Sequence, residues 1–183
     1  MCRKCVKGDV GIVGKAKRLL FDWVIPIVAA LILTFLINKF LLFQVSVPTG
    51  SMIPTIEKDD RLLITKVYNY SSIKRGDILV FNSREYNQPF VKRVIGLPGE
   101  KVEVVDGVVY INGTELKEDY VKNPDKMSCN FGVIPQGHYL FLGDNRAISE
   151  DARYWKNKFI DEKDIMGKAR FTVYPFSRFG SLK

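Results

Sequence analysis

The chain has 183 residues, with 28 Lys and Arg against 20 Asp and Glu, and a formal net charge of +8. That charge is uneven: residues 1–18 hold six basic residues and one acidic, a net of +5, whereas residues 44–183 hold 21 and 18, a net of +3. A body so close to neutral lacks the clustered basic face that nucleic-acid binding needs, which argues against such a partner.

Cysteine use narrows the reading further. Cys129 is the one cysteine of the body, so no disulfide can close inside it. In the tail, Cys2-x-x-Cys5 is half a metal knuckle, with no further Cys or His nearby to complete four ligands. It reads as two thiols kept reduced in the cytosol.

In chain order, the basic tail leads into WVIPIVAALILTFLINKFLLFQV, residues 23–45, apolar except for Thr34, Asn38, Lys39 and Gln44. About 20 such residues span a bilayer core. Pro26 sits where a first helical turn tolerates it, and Lys39 lies near the far end, where it can snorkel to the headgroups. The run is too long for a cleaved secretory signal, and no small-x-small site closes it. The expected division is a basic tail at 1–18, a transmembrane anchor at 19–43 and a β domain at 44–183. The positive-inside rule puts the tail in the cytoplasm and the β domain outside.

Beyond the anchor, strand signals dominate. RLLITKVYNY, GDILVFNS and PFVKRVIG are β-branched or aromatic runs bounded by turn residues. In KVEVVDGVVYINGTEL, Asp106-Gly107 and Asn112-Gly113 separate short apolar runs, a double-hairpin signature. GHYLFLGDN and GKARFTVYPF add two strands, and DEKDIMG reads as one helical turn. Residues 83–89, 118–135 and 146–161 read as loops. The expected fold is mostly β, a curved antiparallel sheet on one N-terminal transmembrane helix.

Three stretches carry candidate chemistry. In VPTGSMIPT, Gly50 precedes Ser51 and prolines flank it three residues to either side, presenting a hydroxyl on a stiffened loop. A serine nucleophile needs a base. The single histidine, His138, follows a glycine and opens a strand, which is an ordinary structural position. The other known solution is a Ser-Lys pair. FVKRVIG, residues 90–96, sets Lys92 and Arg93 in an apolar strand. Burial lowers a lysine pKa, whereas guanidinium keeps its proton, so Lys92 is the candidate base and Arg93 must find an anion or solvent. Taken alone, the strand also fits a lysine snorkelling from a sheet edge. GDNRAISEDARYW, residues 143–155, offers Asp144, Arg146, Asp151 and Arg153 for ion pairs and Ser149 for a hydrogen bond near the amine. Taken alone, it also fits a solvated polar turn.

Together the ordered stretches TGSMIPT, DRLLITK, RGDILVF, VKRVIGLPGE and GDNRAISEDARYW resemble the type I signal peptidases, membrane-anchored Ser-Lys proteases that remove signal peptides. The resemblance runs from Val45 to Pro175. It implies Ser51 as nucleophile, Lys92 as general base and Ser149 as the serine that orients the lysine. It implies an oxyanion hole from the Ser51 N–H and the Thr49 hydroxyl, with Asp144, Arg146, Asp151 and Arg153 in support. It implies that a signal peptide binds as an added strand, with Val45, Val47, Met52, Ile56, Phe90 and Val91 as candidate pocket residues. No metal and no cofactor are implied. The implied partners are signal peptides of exported preproteins, membrane lipid and the nearby secretion translocon.

The chain departs from the family pattern at Ala152, where a serine is common, and at Lys156, where a glycine is common. It has only a short segment, about 105–135, where some relatives carry a second domain, and so looks like the compact Gram-positive form. Three other classes stay open at this point. One is a catalytically silent peptide-binding module. Another is a self-cleaving Ser-Lys protease of the repressor type, in which a DNA-binding segment stands where this chain has an anchor. The third is a pilus- or sporulation-specific peptidase of the same fold.

Overall fold

The structure is a computed structural model that describes residues 20–182. The basic tail, with Cys2 and Cys5, lies outside the described residues. The chain divides into two compact units, residues 1–41 and 42–183.

In the first unit a π-helical turn, Leu20–Val24, leads into α1, Ile25–Phe40, with Pro26 in its first turn. The stretch Phe21–Phe40 is 20 residues, long and apolar enough to cross a bilayer. Its polar groups are handled locally. The Thr34 hydroxyl donates to the Ala30 carbonyl at 2.8 Å. Lys39 Nζ lies 5.6 Å and 5.4 Å from the rings of Phe35 and Phe40. The Leu41 N–H closes on the Ile37 carbonyl, and Leu42 and Phe43 are already strand residues. The helix therefore stops short of the expected anchor end at residue 43.

Among the described residues of the second unit there are twelve strands. They are β1 (Leu42–Ser46), β2 (Arg61–Lys66), β3 (Ile78–Ser83), β4 (Gln88–Gly96), β5 (Lys101–Val105) and β6 (Val108–Ile111). Then follow β7 (Thr114–Glu115), β8 (Cys129–Val133), β9 (His138–Leu142), β10 (Ile160–Asp161), β11 (Ile165–Tyr174) and β12 (Gly180–Ser181). One sheet runs β1-β2-β11-β3-β4-β9-β10 with β12 beside β11, and a smaller one runs β7-β6-β5-β8. The pairings are antiparallel. The mostly-β expectation holds. Asp106-Gly107 and Asn112-Gly113 make the two expected hairpin turns, each with both residues at positive φ, the geometry that matches strand twist.

Two regions differ from the sequence reading. Residues 118–135 are not all loop, because Cys129–Val133 forms β8 on the edge of the small sheet. Its CNFGV sequence has little β-branching, and only pairing with β5 reveals it. The 146–161 segment is irregular as far as Phe159, ends in β10, and is only partly solvated: Arg146, Ser149, Asp151, Ala152, Arg153 and Trp155 are all buried.

The core has two parts, and β3 and β4 lie between them. Leu79 and Phe81, with Phe90, pack into the larger cluster alongside Phe141, Trp155 and the apolar face of the small sheet. Ile78 and Val80, with Val91, pack into the smaller one with Met52, Ile56, Leu62, Ile64 and Ala169. Strand neighbours point to opposite faces, so a strand covered on both reads as nearly continuous apolar sequence. That is why ILVF and FVKRVI look alike despite the two cations.

Candidate active site

Ser51 stands on a loop pinned at both ends. Val47 N–H donates to the Asp60 carbonyl at 3.0 Å, and Asp59 N–H returns to the Val47 carbonyl at 2.7 Å. Inside it, Ile53 N–H bonds the Gly50 carbonyl at 3.2 Å and Ile56 N–H the Met52 carbonyl at 2.9 Å. Met52 and Ile56 are wholly buried and anchor this turn in the smaller core cluster. Ser51 itself keeps 8% of its surface exposed. The Thr49 hydroxyl lies 3.4 Å from Ser51 Oγ.

Lys92 sits in β4, which is paired on one edge with β3 and on the other with β9. An interior strand leaves a side chain no route past an edge, so Lys92 is 3% exposed rather than snorkelling. Its Nζ donates to Ser149 Oγ at 3.1 Å and lies 5.8 Å from the Phe90 ring centroid. Phe90 in turn stacks on Trp155 at 5.6 Å. Burial lowers the Lys92 pKa to about 8; nearby Asp151 opposes the shift and Arg153 adds to it. An amine with that pKa is about one-tenth neutral at pH 7, far more than an ordinary lysine.

Arg93 points to the other face and finds its anion. Its Nε and Nη2 hold Asp144 at 2.8 Å and 2.6 Å, with side-chain exposures of 3% and 0%. The Thr55 hydroxyl donates to the same carboxylate at 2.6 Å. Thr55 belongs to the Ser51 loop, so this ion pair also ties that loop to the strand bearing Lys92.

The 143–153 segment joins the remaining pieces. Asn145 donates its backbone N–H to the Ser51 carbonyl at 3.0 Å and its side-chain amide to the Gly50 carbonyl at 3.1 Å. The Asn145 carbonyl accepts Ser149 N–H at 2.9 Å. Asp151 accepts Gly143 N–H at 2.9 Å and two bonds from Arg153, each 2.8 Å. Arg146 Nε donates to the Gly143 carbonyl at 2.9 Å. Asp144, Arg146, Ser149, Asp151 and Arg153 thus converge as the motif suggested. The sequence reading had no role for Asn145 and Thr55, although both lie inside quoted motifs; only their tertiary partners distinguish them.

Gly143 is the tightest point. A Cβ there would overlap Ser149 Oγ and Cβ and sit 2.5 Å from the Ser51 carbonyl oxygen. Gly143→Ala therefore displaces the hydroxyl that holds Lys92 or the backbone of Ser51. Displacements near 1 Å cost about 10²-fold in rate. The expected result is that loss in kcat with a smaller change in KM, read from steady-state cleavage.

Three of the candidate pocket residues lie differently from the expectation. Val47, Met52 and Ile56 are 3%, 0% and 0% exposed and belong to the core, so as placed they offer a peptide no surface. Their apolar character serves loop anchoring. Val45, Phe90 and Val91 are only partly buried. His138 lies opposite Asp161 in the β9–β10 pair, its Nδ1 3.0 Å from the Gln136 carbonyl, and no described hydrogen bond joins it to Ser51. At the two departures, Ala152 is fully buried among apolar side chains, where a methyl needs no partner. Lys156 is exposed and contributes its backbone N–H to Glu85 at 3.1 Å.

The chain is similar to several known proteins. Residues 20–174 match the family model described as signal peptidase, peptidase S26. A signal peptidase IB of Staphylococcus aureus is 35% identical over 182 residues, covering 89% of this chain and 94% of that protein. A signal peptidase I of Leptolyngbya laminosa is 36% identical over 177 residues, covering 92% and 86%. A crystal structure of a signal peptidase I from Enterococcus faecalis V583 aligns with 36% identity and a TM-score of 0.48, covering 53% of this chain and 96% of that one. The chain belongs to the signal peptidase family, peptidase S26.

Proposed function

We propose that the chain is a membrane-anchored serine endopeptidase that removes N-terminal signal peptides from exported preproteins, with Ser51 as nucleophile and Lys92 as general base. The observation that carries this is the buried, pKa-lowered Lys92 held by Ser149, on a segment whose Asn145 binds the Ser51 carbonyl. A neutral amine beside a shielded serine is what a Ser-Lys pair requires.

In this reading Ser51 Oγ attacks the scissile carbonyl while its proton passes to Lys92 Nζ. The tetrahedral oxyanion accepts the Ser51 N–H and the Thr49 hydroxyl. Among the described residues no acceptor takes that N–H, which leaves it available. Lys92 then protonates the leaving amine, the acyl-enzyme forms, and a water activated by Lys92 releases the signal peptide. Ser149 orients the amine, and Asp144, Arg146, Asp151 and Arg153 hold the frame.

The signal peptide adds as a strand. The outer edge of β1 is unpaired among the described residues, and Val45 lies on that strand. In this reading Val45, Val91 and Phe90, each only partly buried, are the residues left to contact the peptide, and small apolar pockets would select small residues at the first and third positions before the cut. The tail at 1–18 lies in the cytoplasm, and residues 42–183 lie outside, next to lipid and the secretion translocon.

The test is cleavage of a secretory precursor whose signal ends in Ala-x-Ala, with the full chain in detergent. The new N-terminus is read by mass. Wild type is expected to cut after the last Ala, and Ser51→Ala to leave the precursor intact. Equal cleavage by both would overturn the assignment.

A further inference from the structure

Residues 118–125 lie within the short segment that takes the place of a second domain in some relatives, and the sequence suggests no role for them. In the structure they strap the catalytic segment from outside. Glu118 accepts both Arg146 Nη1 at 3.0 Å and Nη2 at 2.6 Å, the two side chains being 9% and 3% exposed. Asp125 accepts Arg153 Nη1. The Tyr120 hydroxyl donates to Glu118 at 2.6 Å, and its ring lies 4.0 Å from the Arg93 guanidinium. The Asn123 carbonyl accepts Ala147 N–H at 3.1 Å.

Each arginine therefore has two sides in use. Arg146 faces inward through Nε to the Gly143 carbonyl and outward to Glu118. Arg153 faces inward to Asp151, to the Arg146 carbonyl at 3.0 Å and to the Ser149 carbonyl at 3.3 Å, and outward to Asp125. The inner partners belong to the segment that holds Ser149 against Lys92. A guanidinium presents its donors in a rigid planar fork, so fixing one edge fixes the direction of the other. The Glu118 carboxylate supplies that fixing at two points and the Asp125 carboxylate at one.

We propose that Glu118 and Asp125 are positioning residues for the cleavage reaction, acting through Arg146 and Arg153 to hold Ser149, and thereby Lys92, in register with Ser51. The inference rests on the reading of Ser51 and Lys92 as nucleophile and base. In this chain, the compact form of the fold places on one eight-residue strap the outer support of the catalytic segment.

The test uses the full chain in detergent with the same precursor. Glu118→Gln and Asp125→Asn keep size and remove charge, and Asp125→Asn leaves the Glu118–Arg146 pair intact should Glu118→Gln fold poorly. Rates are expressed per folded molecule, with the folded fraction taken from near-UV circular dichroism. The expected result is a fall in kcat of about tenfold or more for each, with KM within about twofold, and partial recovery in Glu118→Asp, which keeps the carboxylate. An unchanged kcat per folded molecule, with only the folded fraction reduced, would overturn the inference and leave the strap a stabilising element. Lys92→Arg serves as the control. If Lys92→Arg is inactive while both strap variants match wild type, the strap inference alone fails. If Lys92→Arg cuts like wild type, the Ser-Lys reading fails and takes this inference with it.

Discussion

Replacing Lys92 by arginine is expected to lower kcat/KM by about 10⁴-fold, because it removes the proposed base while keeping the charge. Arginine matches lysine in charge and roughly in reach, yet guanidinium keeps its proton at any pH a folded protein tolerates. The loss should lie in kcat, since Lys92 is buried and offers a bound peptide little surface. A pH profile supplies the companion measurement. Lys92 acts only when neutral, and burial lowers its pKa to about 8. The wild-type kcat/KM should therefore rise through neutral pH and level off above about pH 8. An unperturbed lysine would place that limb near 10.4. A limb at 10 or above, or a Lys92→Arg variant that cuts at the wild-type rate, would refute the assignment of Lys92 as the base.

Loss of the Asp144 charge is expected to have the largest effect on stability. Asp144 and Arg93 form a two-point ion pair with both side chains almost wholly out of water. Removing one member of such a pair leaves the other a buried charge without its counter-ion, at a cost of about 3–5 kcal/mol. Asp144→Asn should therefore lower the thermal midpoint of the full chain in detergent by roughly 10 °C. The doubly apolar variant Arg93→Met/Asp144→Leu should recover much of that loss, because removing both charges removes the desolvation penalty as well. The two outcomes separate an uncompensated charge from simple loss of packing. If the double variant is as unstable as the sum of the single ones, packing is the cause. Activity should fall in both, because Thr55 of the nucleophile loop loses its carboxylate partner.

Much of this protein was legible in its residue order. Alternation and β-branching located β2, β3, β4, β9 and β11, and the Asp-Gly and Asn-Gly pairs located the hairpins between β5, β6 and β7. These signals are local: a strand's two faces and a turn's positive φ are written in a few adjacent residues. Elements defined by pairing were not legible. β8 has little β-branching, and β1 continues the apolar run of the anchor without a break in composition. For the same reason, length and hydropathy marked the apolar run but not the point after Phe40 where helix gives way to strand.

The site divides the same way. Residue chemistry made Lys92 a candidate base, since the one histidine stands in a structural position and Arg93 cannot lose its proton, and the resemblance to type I signal peptidases implied Ser51 and Lys92 as a pair. What tertiary structure alone decided is the environment of each group. FVKRVIG reads equally as an edge strand or an interior one, and only its pairing on both sides by β3 and β9 makes Lys92 a buried amine. Val47, Met52 and Ile56 read equally as pocket or core, and packing put them in the core. Asn145, Thr55 and Glu118 carry no distinguishing mark in sequence, because their partners lie 95, 89 and 28 residues away. Residue type sets what a side chain can do chemically; burial and partners, which depend on contacts remote in sequence, set whether it does so at neutral pH.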